Sequence, residues 1–175
     1  GKAREAGFDV RGGVMERGLS YLRTHLEPAR DLTSPEAANQ QAFILYVMTE
    51  AGDASAASEY TGGLYDSRDK LSHYGRAYLA MALDMIKEPE DGSDERIGTL
   101  LSDLQNAAIL SATGAHWEEE GYDRWAMNTD TRSTAVILKA LAQFDPENDL
   151  IPNVVRWLMV AREDGIWETT YETAW

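Results

Sequence analysis

The chain has 175 residues, 43% of them hydrophobic and 26% charged, which is the composition of a folded domain with a substantial core and excludes an intrinsically disordered chain. Sixteen Lys and Arg stand against 30 Asp and Glu, a net charge of −14, so neither nucleic acid nor an anionic membrane surface fits as a partner. The absence of cysteine excludes disulfides, thiolate metal sites and a cysteine nucleophile within these residues, and leaves the redox compartment undecided.

Along the chain the periodicity is helical. No signal peptide is visible at Gly1, and a targeting segment, if the parent is exported, is expected outside this piece. Met15, Leu19, Leu22 and Leu26 fall on one helical face with polar residues opposite. Thr33-Ser34-Pro35-Glu36 then marks a helix start, with proline in the first turn. Ala42–Met48 (AFILYVM) and Ala77–Leu83 (AYLAMAL) are apolar almost all round, as is Ala135–Ala142 (AVILKALA), and helices of that kind are expected to be buried on every side. Such runs are well short of the ~20 residues that span a bilayer. Ile97, Leu100, Leu101, Leu104 and Ala108 form a second one-sided helix, and Val154, Trp157, Leu158 and Ala161 a third.

Punctuation recurs before the buried helices. Gly62–Ser67 (GGLYDS), Gly114–Glu120 (GAHWEEE) and Gly165–Thr170 (GIWETT) each give a glycine that can end one helix, an aromatic, and polar residues that can cap the next. Ala38, Ala77, Ala135 and Ala174 are spaced by roughly 39, 58 and 39 residues, a period of helical-pair repeats, with an insertion at Trp117–Asn128 in the wide interval. Strand evidence is poor, since Ile166–Tyr171 alternates only briefly. At the end, Thr169 and Glu172 have capping-box spacing and Tyr171, Ala174 and Trp175 begin an apolar face, so a further inner helix starts there. The expectation is an all-α chain of alternating outer and inner helices, forming an α/α toroid fragment of antiparallel helical hairpins rather than an open solenoid.

Few residues suggest chemistry. His25, His73 and His116 are far apart, without metal-ligand spacing. The acidic run Glu88–Glu95 crowds carboxylates around Gly92 but lacks the alternation of a calcium loop; it reads as a solvated turn whose Asp94 caps the next helix. Trp117, Trp125, Trp167 and Trp175, with Tyr65, Tyr122 and Tyr171, cluster at inner-helix starts. Asp66, Asp69, Glu118, Asp123, Asp130 and Glu168 lie beside them in sequence. Two opposed carboxylates over an aromatic floor would suit glycoside hydrolysis; the plainer reading has the aromatics stapling turns and the acids capping helices. No Ser/His/Asp set, phosphate loop or nucleotide fingerprint is present.

Trp117-Glu118, Asn128-Thr129, Thr134-Ala135, Leu138–Leu141, Val154–Leu158, Arg162, Gly165–Trp167 and Thr170–Trp175 resemble the later part of the thioester domain of alpha-2-macroglobulins and complement thioester proteins, most closely the bacterial alpha-2-macroglobulins. The likeness is specific over His116–Trp175 and one of pattern before it. It departs at Tyr171, where relatives often carry Gln, and at Asp164-Gly165, where they carry a glycine pair. The resemblance implies that residues 1–175 are a partial α/α-toroid thioester-like domain, truncated at both ends of the parent domain. It implies a broad-spectrum protease trap: a bait region is cleaved, the molecule rearranges, and a buried Cys–Gln thioester acylates the attacking protease. The Cys–Gln motif would lie upstream, so this piece is expected to hold no catalytic, cofactor-binding or metal residue and to be chemically inert. Partners would be proteases, through the parent, and neighbouring domains of the same chain, with no nucleic acid and no direct membrane insertion. The parent would be extracellular, on the cell surface or periplasmic, in bacteria often as a lipoprotein. Terpene cyclases and prenyltransferases share the Arg-aromatic-Leu…Gly-x-Trp pattern, leaving a toroidal enzyme acting on carbohydrate or isoprenoid as the alternative, although their acid motif and zinc ligands are missing.

Overall fold

A computed structural model describes residues 6–8, 13–86, 95–121, 128–162, 164–167 and 169. Among the described residues seven α-helices and one small sheet follow in order: α1 (Val14–Arg23), α2 (Pro35–Glu50), α3 (Ala54–Asp66), α4 (His73–Ile86), α5 (Glu95–Asn106), β1 (Ile109–Ser111), β2 (Gly114–His116), α6 (Asp130–Phe144) and α7 (Leu150–Val160). Short 3-10 turns at Ala29–Asp31 and Arg68–Lys70 join α1 to α2 and α3 to α4. The protein is therefore predominantly α-helical. Among the described residues no helix is long and apolar enough to cross a membrane.

Burial follows side-chain size. In α4, Tyr74, Gly75 and every residue from Ala77 to Leu83 are buried, because three alanines let neighbours approach from all sides. Those neighbours are α2, α3, α5 and α6. Gly75 makes room for α2, since a Cβ there would lie 2.2 Å from Asn39 Oδ1. The flanking helices are less enclosed than their sequences suggest. Phe43 on α2 is 41% exposed, and Ala135, Lys139 and Ala142 on α6 are exposed. Burial on every side, expected for all three apolar helices, holds for α4 alone. It has a buried partner on both flanks, whereas α6 has α4 on one side and the amphipathic α7 behind it.

The direction of the three helices follows from their contacts. Asn39, near the start of α2, bonds Ser72, just before α4: its Nδ2 donates to Ser72 Oγ at 2.8 Å and its Oδ1 accepts from Ser72 N at 2.9 Å. Further along, the rings of Tyr46 and of Tyr78, midway along α4, lie 5.1 Å apart, and near the C-terminal ends Gln143 of α6 donates to Asp84 of α4 at 2.8 Å. Hence α2, α4 and α6 run in the same direction, and α3 and α5 return between them. Three helices in a flat row would place the outer two about 16–20 Å apart. Yet the Lys139 ammonium of α6 donates to the Tyr46 hydroxyl of α2 and lies 4.7 Å over its ring. The two outer helices therefore reach each other through these two side chains, over one face of α4.

Several boundaries differ from the sequence reading. A helix, α3, occupies Ala54–Asp66 and passes through Gly62 and Gly63, so this glycine pair does not end a helix. Gly63 instead serves packing: a Cβ there would meet Ala29 Cβ at 3.0 Å. α1 stops at Arg23, leaving Leu26 beyond it. A hairpin that the periodicity misses pairs β1 with β2, Ile109 opposite His116 and Ser111 opposite Gly114. Three-residue strands carry too little alternation to be read. The start signal at Ser34 is present as expected, its hydroxyl accepting from Ala37 N at 3.3 Å with Pro35 in the first turn. The acidic residues of 88–94, Tyr122, Asp123, Trp125, Glu168 and the stretch 170–175, with Tyr171, Glu172, Ala174 and Trp175, lie outside the described residues.

Candidate functional site

The parallel direction of α2, α4 and α6 gathers their N-terminal ends, where backbone N–H groups without helical acceptors concentrate. Side chains answer them in turn. Ser34 caps α2, and Thr129 caps α6 by accepting from Arg132 N at 3.1 Å. At α4 the cap comes from elsewhere in the chain: the Glu119 carboxylate accepts from His73 N at 3.2 Å and Tyr74 N at 3.1 Å. Glu119 N in turn donates to Asp130 Oδ1, in the first turn of α6, at 3.2 Å. One residue thus ties two helix starts together.

Beside this joint lies a cleft of about 140 Å³, lined by Glu36, Asn39, Ser72, Glu120, Gly121 and Asn128 together with Pro35. A space of that size suits a few waters or one small polar group, far below the 300–1,000 Å³ usual for a drug-sized ligand. Asn39 is buried and its amide is taken by Ser72; Asn128 is buried and its Nδ2 donates to the Gly121 carbonyl at 3.0 Å. The Ser34 hydroxyl, with the residue's own backbone N–H, holds the Glu36 carboxyl below the usual glutamate range.

The three histidines stand apart. His25 is exposed in the turn after α1, its ring 4.2 Å from that of Tyr21. His73 opens α4, half-buried, and burial pushes its imidazole below the ordinary histidine value, with Arg76 adding to that shift and Glu119 and Glu120 opposing it. His116, on β2, stacks on Trp157 with centroids 4.6 Å apart and planes 2° from parallel, while Nε2 lies 3.2 Å from Glu118. Among the described residues no group of three or more His, Asp or Glu is placed to hold a metal ion.

The aromatic and acidic residues do not form one floor. Trp117 is fully buried, its indole N–H donating to the Leu104 carbonyl at 2.8 Å and its backbone N–H to Thr134 Oγ1 at 3.1 Å. It fastens the end of α5 to α6. Trp167 donates to the Leu158 carbonyl at 3.2 Å with the Arg162 guanidinium over its ring, and Tyr65 carries Arg68 in the same way. Asp66 and Asp69 are exposed near the end of α3, and Glu118 faces His116. Among the described residues, Asp130 alone of the acids singled out from sequence joins the cluster at the helix starts. Glu36, Glu119, Glu120, Asn39 and Ser72 complete it. Asn39, the first of three consecutive amides ahead of an apolar run, was the available signal; the role of Glu119 depends on a contact across 46 positions of the chain.

Comparison with protein-family models, with curated proteins and with solved structures gave no match.

Proposed function

We propose that the chain is a segment of an α/α toroid of the thioester-domain type and serves as a structural wall in a bacterial alpha-2-macroglobulin-like protease trap. The observation that supports this reading is the parallel direction of α2, α4 and α6, with return helices between them and a side-chain contact from α6 to α2, as a curling row of hairpins would have. The residues behind the resemblance support it by where they sit: Trp117 and Thr134 form a joint between α5 and α6, and Asn128, just before α6, donates to the Gly121 carbonyl.

In such a trap the reactive group is an acyl carbon bonded to sulfur. A nucleophile of the protease adds to that carbon, the carbon–sulfur bond breaks, and the thiol leaves with a proton. This chain has no cysteine and contributes no atom to that step. Its part is to hold shape while the parent rearranges. Its partners are then the neighbouring domains, and proteases through the parent, in an extracellular or periplasmic setting.

The parent gene provides the test. The reading expects a Cys-x-Glu-Gln motif upstream in a much longer chain, whose product takes up methylamine covalently and releases one thiol. The 175-residue piece alone is expected to do neither and to leave trypsin uninhibited. A short parent with paired central carboxylates and hydrolase or cyclase activity would replace this reading with that of a toroidal enzyme.

A further inference from the structure

His73 occupies an unusual position: it is the first residue of α4, and it adjoins the Glu119 clasp. Its Nδ1 is enclosed and has no hydrogen-bond partner. A neutral imidazole tolerates this by carrying its proton on Nε2. An imidazolium does not, because both nitrogens are then donors. The position is also unfavourable for a cation, since the partial positive charge of a helix gathers in its first turn. Among the described residues the charged groups that act on the ring are Glu119 and Glu120, on the segment after β2, and Arg76 on α4 itself. Arg76 is anchored through its Nε to the Arg68 carbonyl at 3.3 Å. Both oxygens of Glu119 already hold backbone N–H groups, Oε2 that of His73 and Oε1 that of Tyr74.

We infer that His73 makes the joint between α4 and α6 an acid-operated latch: when the ring takes up a proton, the Glu119 carboxylate turns from the backbone to the imidazolium and the first turn of α4 is released. Nδ1–H has no acceptor in the present arrangement, so either the ring or the carboxylate has to turn for the pair to form. The ring's Nδ1 side is enclosed; the carboxylate sits on a segment without helix or strand structure. Moving it removes the acceptor for His73 N and Tyr74 N and so parts α4 from the Glu119 segment, whose backbone N–H stays on Asp130. Burial keeps the folded ring below its ordinary pKa of 6.5. The sign follows: the unfolded chain binds the proton first, so the stability of the joint is complete above pH 6.5 and declines as pH falls through the folded value. This inference is independent of the protease-trap reading.

The test is amide exchange at His73 and Tyr74 in the full chain, read by NMR from pH 7.5 to 5 and corrected for intrinsic exchange. Wild type is expected to lose protection at these two amides as the pH falls, by the factor that the lowering of the ring's pKa supplies. H73Q is expected to keep its protection over the same range, and E119Q to have low protection throughout. A flat wild-type profile overturns the inference, as does an H73Q profile that falls like wild type. Should H73Q fold poorly, the His73 ring titration in wild type decides: the His73 and Tyr74 amide shifts must move with the same midpoint as the ring, which lies below the ordinary histidine value. Amide shifts that ignore the ring's midpoint refute the latch.

Discussion

Gly114 is held at φ +136°, and a Cβ there would lie 2.2 Å from the Asn153 carbonyl oxygen and 2.9 Å from Trp157 N. Backbone meets backbone, so no side chain can yield, and the contact is what seats His116 flat on Trp157. G114A is expected to cost about 3 kcal/mol or more in urea denaturation, combining a strained φ with a clash. Gly98, on the exposed face of α5, has ordinary backbone angles and nothing within 4 Å. G98A is therefore expected to stabilise by about 0.5–1 kcal/mol, the helix-propensity gain alone. Equal effects of the two substitutions would remove the hairpin's docking on α7 from the account. Asn39 gives a second local test. It is 3% exposed and its amide makes both bonds to Ser72. N39A leaves Ser72 N without an acceptor at the joint between α2 and α4, and a loss of about 2 kcal/mol is expected from the same denaturation curve.

Helices α4 and α6 have comparable apolar sequences and different surroundings, and substitution separates them. Ala80 is 0% exposed with neighbours on every side, whereas Ala135 is exposed. A80L is expected to destabilise by about 1–3 kcal/mol through overpacking. A135L is expected to stay within about 0.5 kcal/mol of wild type. A large loss at Ala135 would mean that the outer face of α6 is already covered. This difference also marks where the sequence stops being informative. Apolar periodicity located α2, α4 and α6 and the one-sided α1, α5 and α7, because periodicity reports which residues avoid water. It is silent on whether a neighbour lies on one flank or two, which depends on residues distant in sequence. α3 was missed because ASAASEYTGGLYD has few large apolar residues and two glycines; small side chains that permit close packing look like a loop. At the candidate site, caps formed locally by Ser34 and Thr129 were legible or nearly so. The Glu119 clasp was not, since nothing in EEE distinguishes the residue that reaches α4 from its neighbours.

Across the whole molecule the same contacts set a gradient of local stability. α4 is enclosed by four helices, while α1 has no buried residue and packs through half-buried Leu19 and Leu22 towards α2. The Arg23 guanidinium adds an ion pair to Asp53 at 2.8 Å, beside one within α1 to Glu16 at 3.3 Å, and the two pairs raise the arginine's pKa. Amides of α4 should then exchange only through near-global opening, and those of α1 by local fraying. Salt distinguishes the two. At a net charge of −14 the folded chain repels itself, and screening relieves that repulsion, so added NaCl should raise the unfolding midpoint. The same screening weakens an exposed ion pair, with a Debye length of about 10 Å at 0.1 M and 3 Å at 1 M. Between 0.05 and about 0.5 M NaCl, protection in α4 is therefore expected to rise while protection in α1 falls. R23A should reproduce the loss in α1 at low salt and remove its salt dependence, leaving α4 unchanged. Parallel changes in both helices would mean that α1 unfolds with the core. Arg23 would then be incidental, and the first helix would belong to the cooperative unit that the buried alanines of α4 organise.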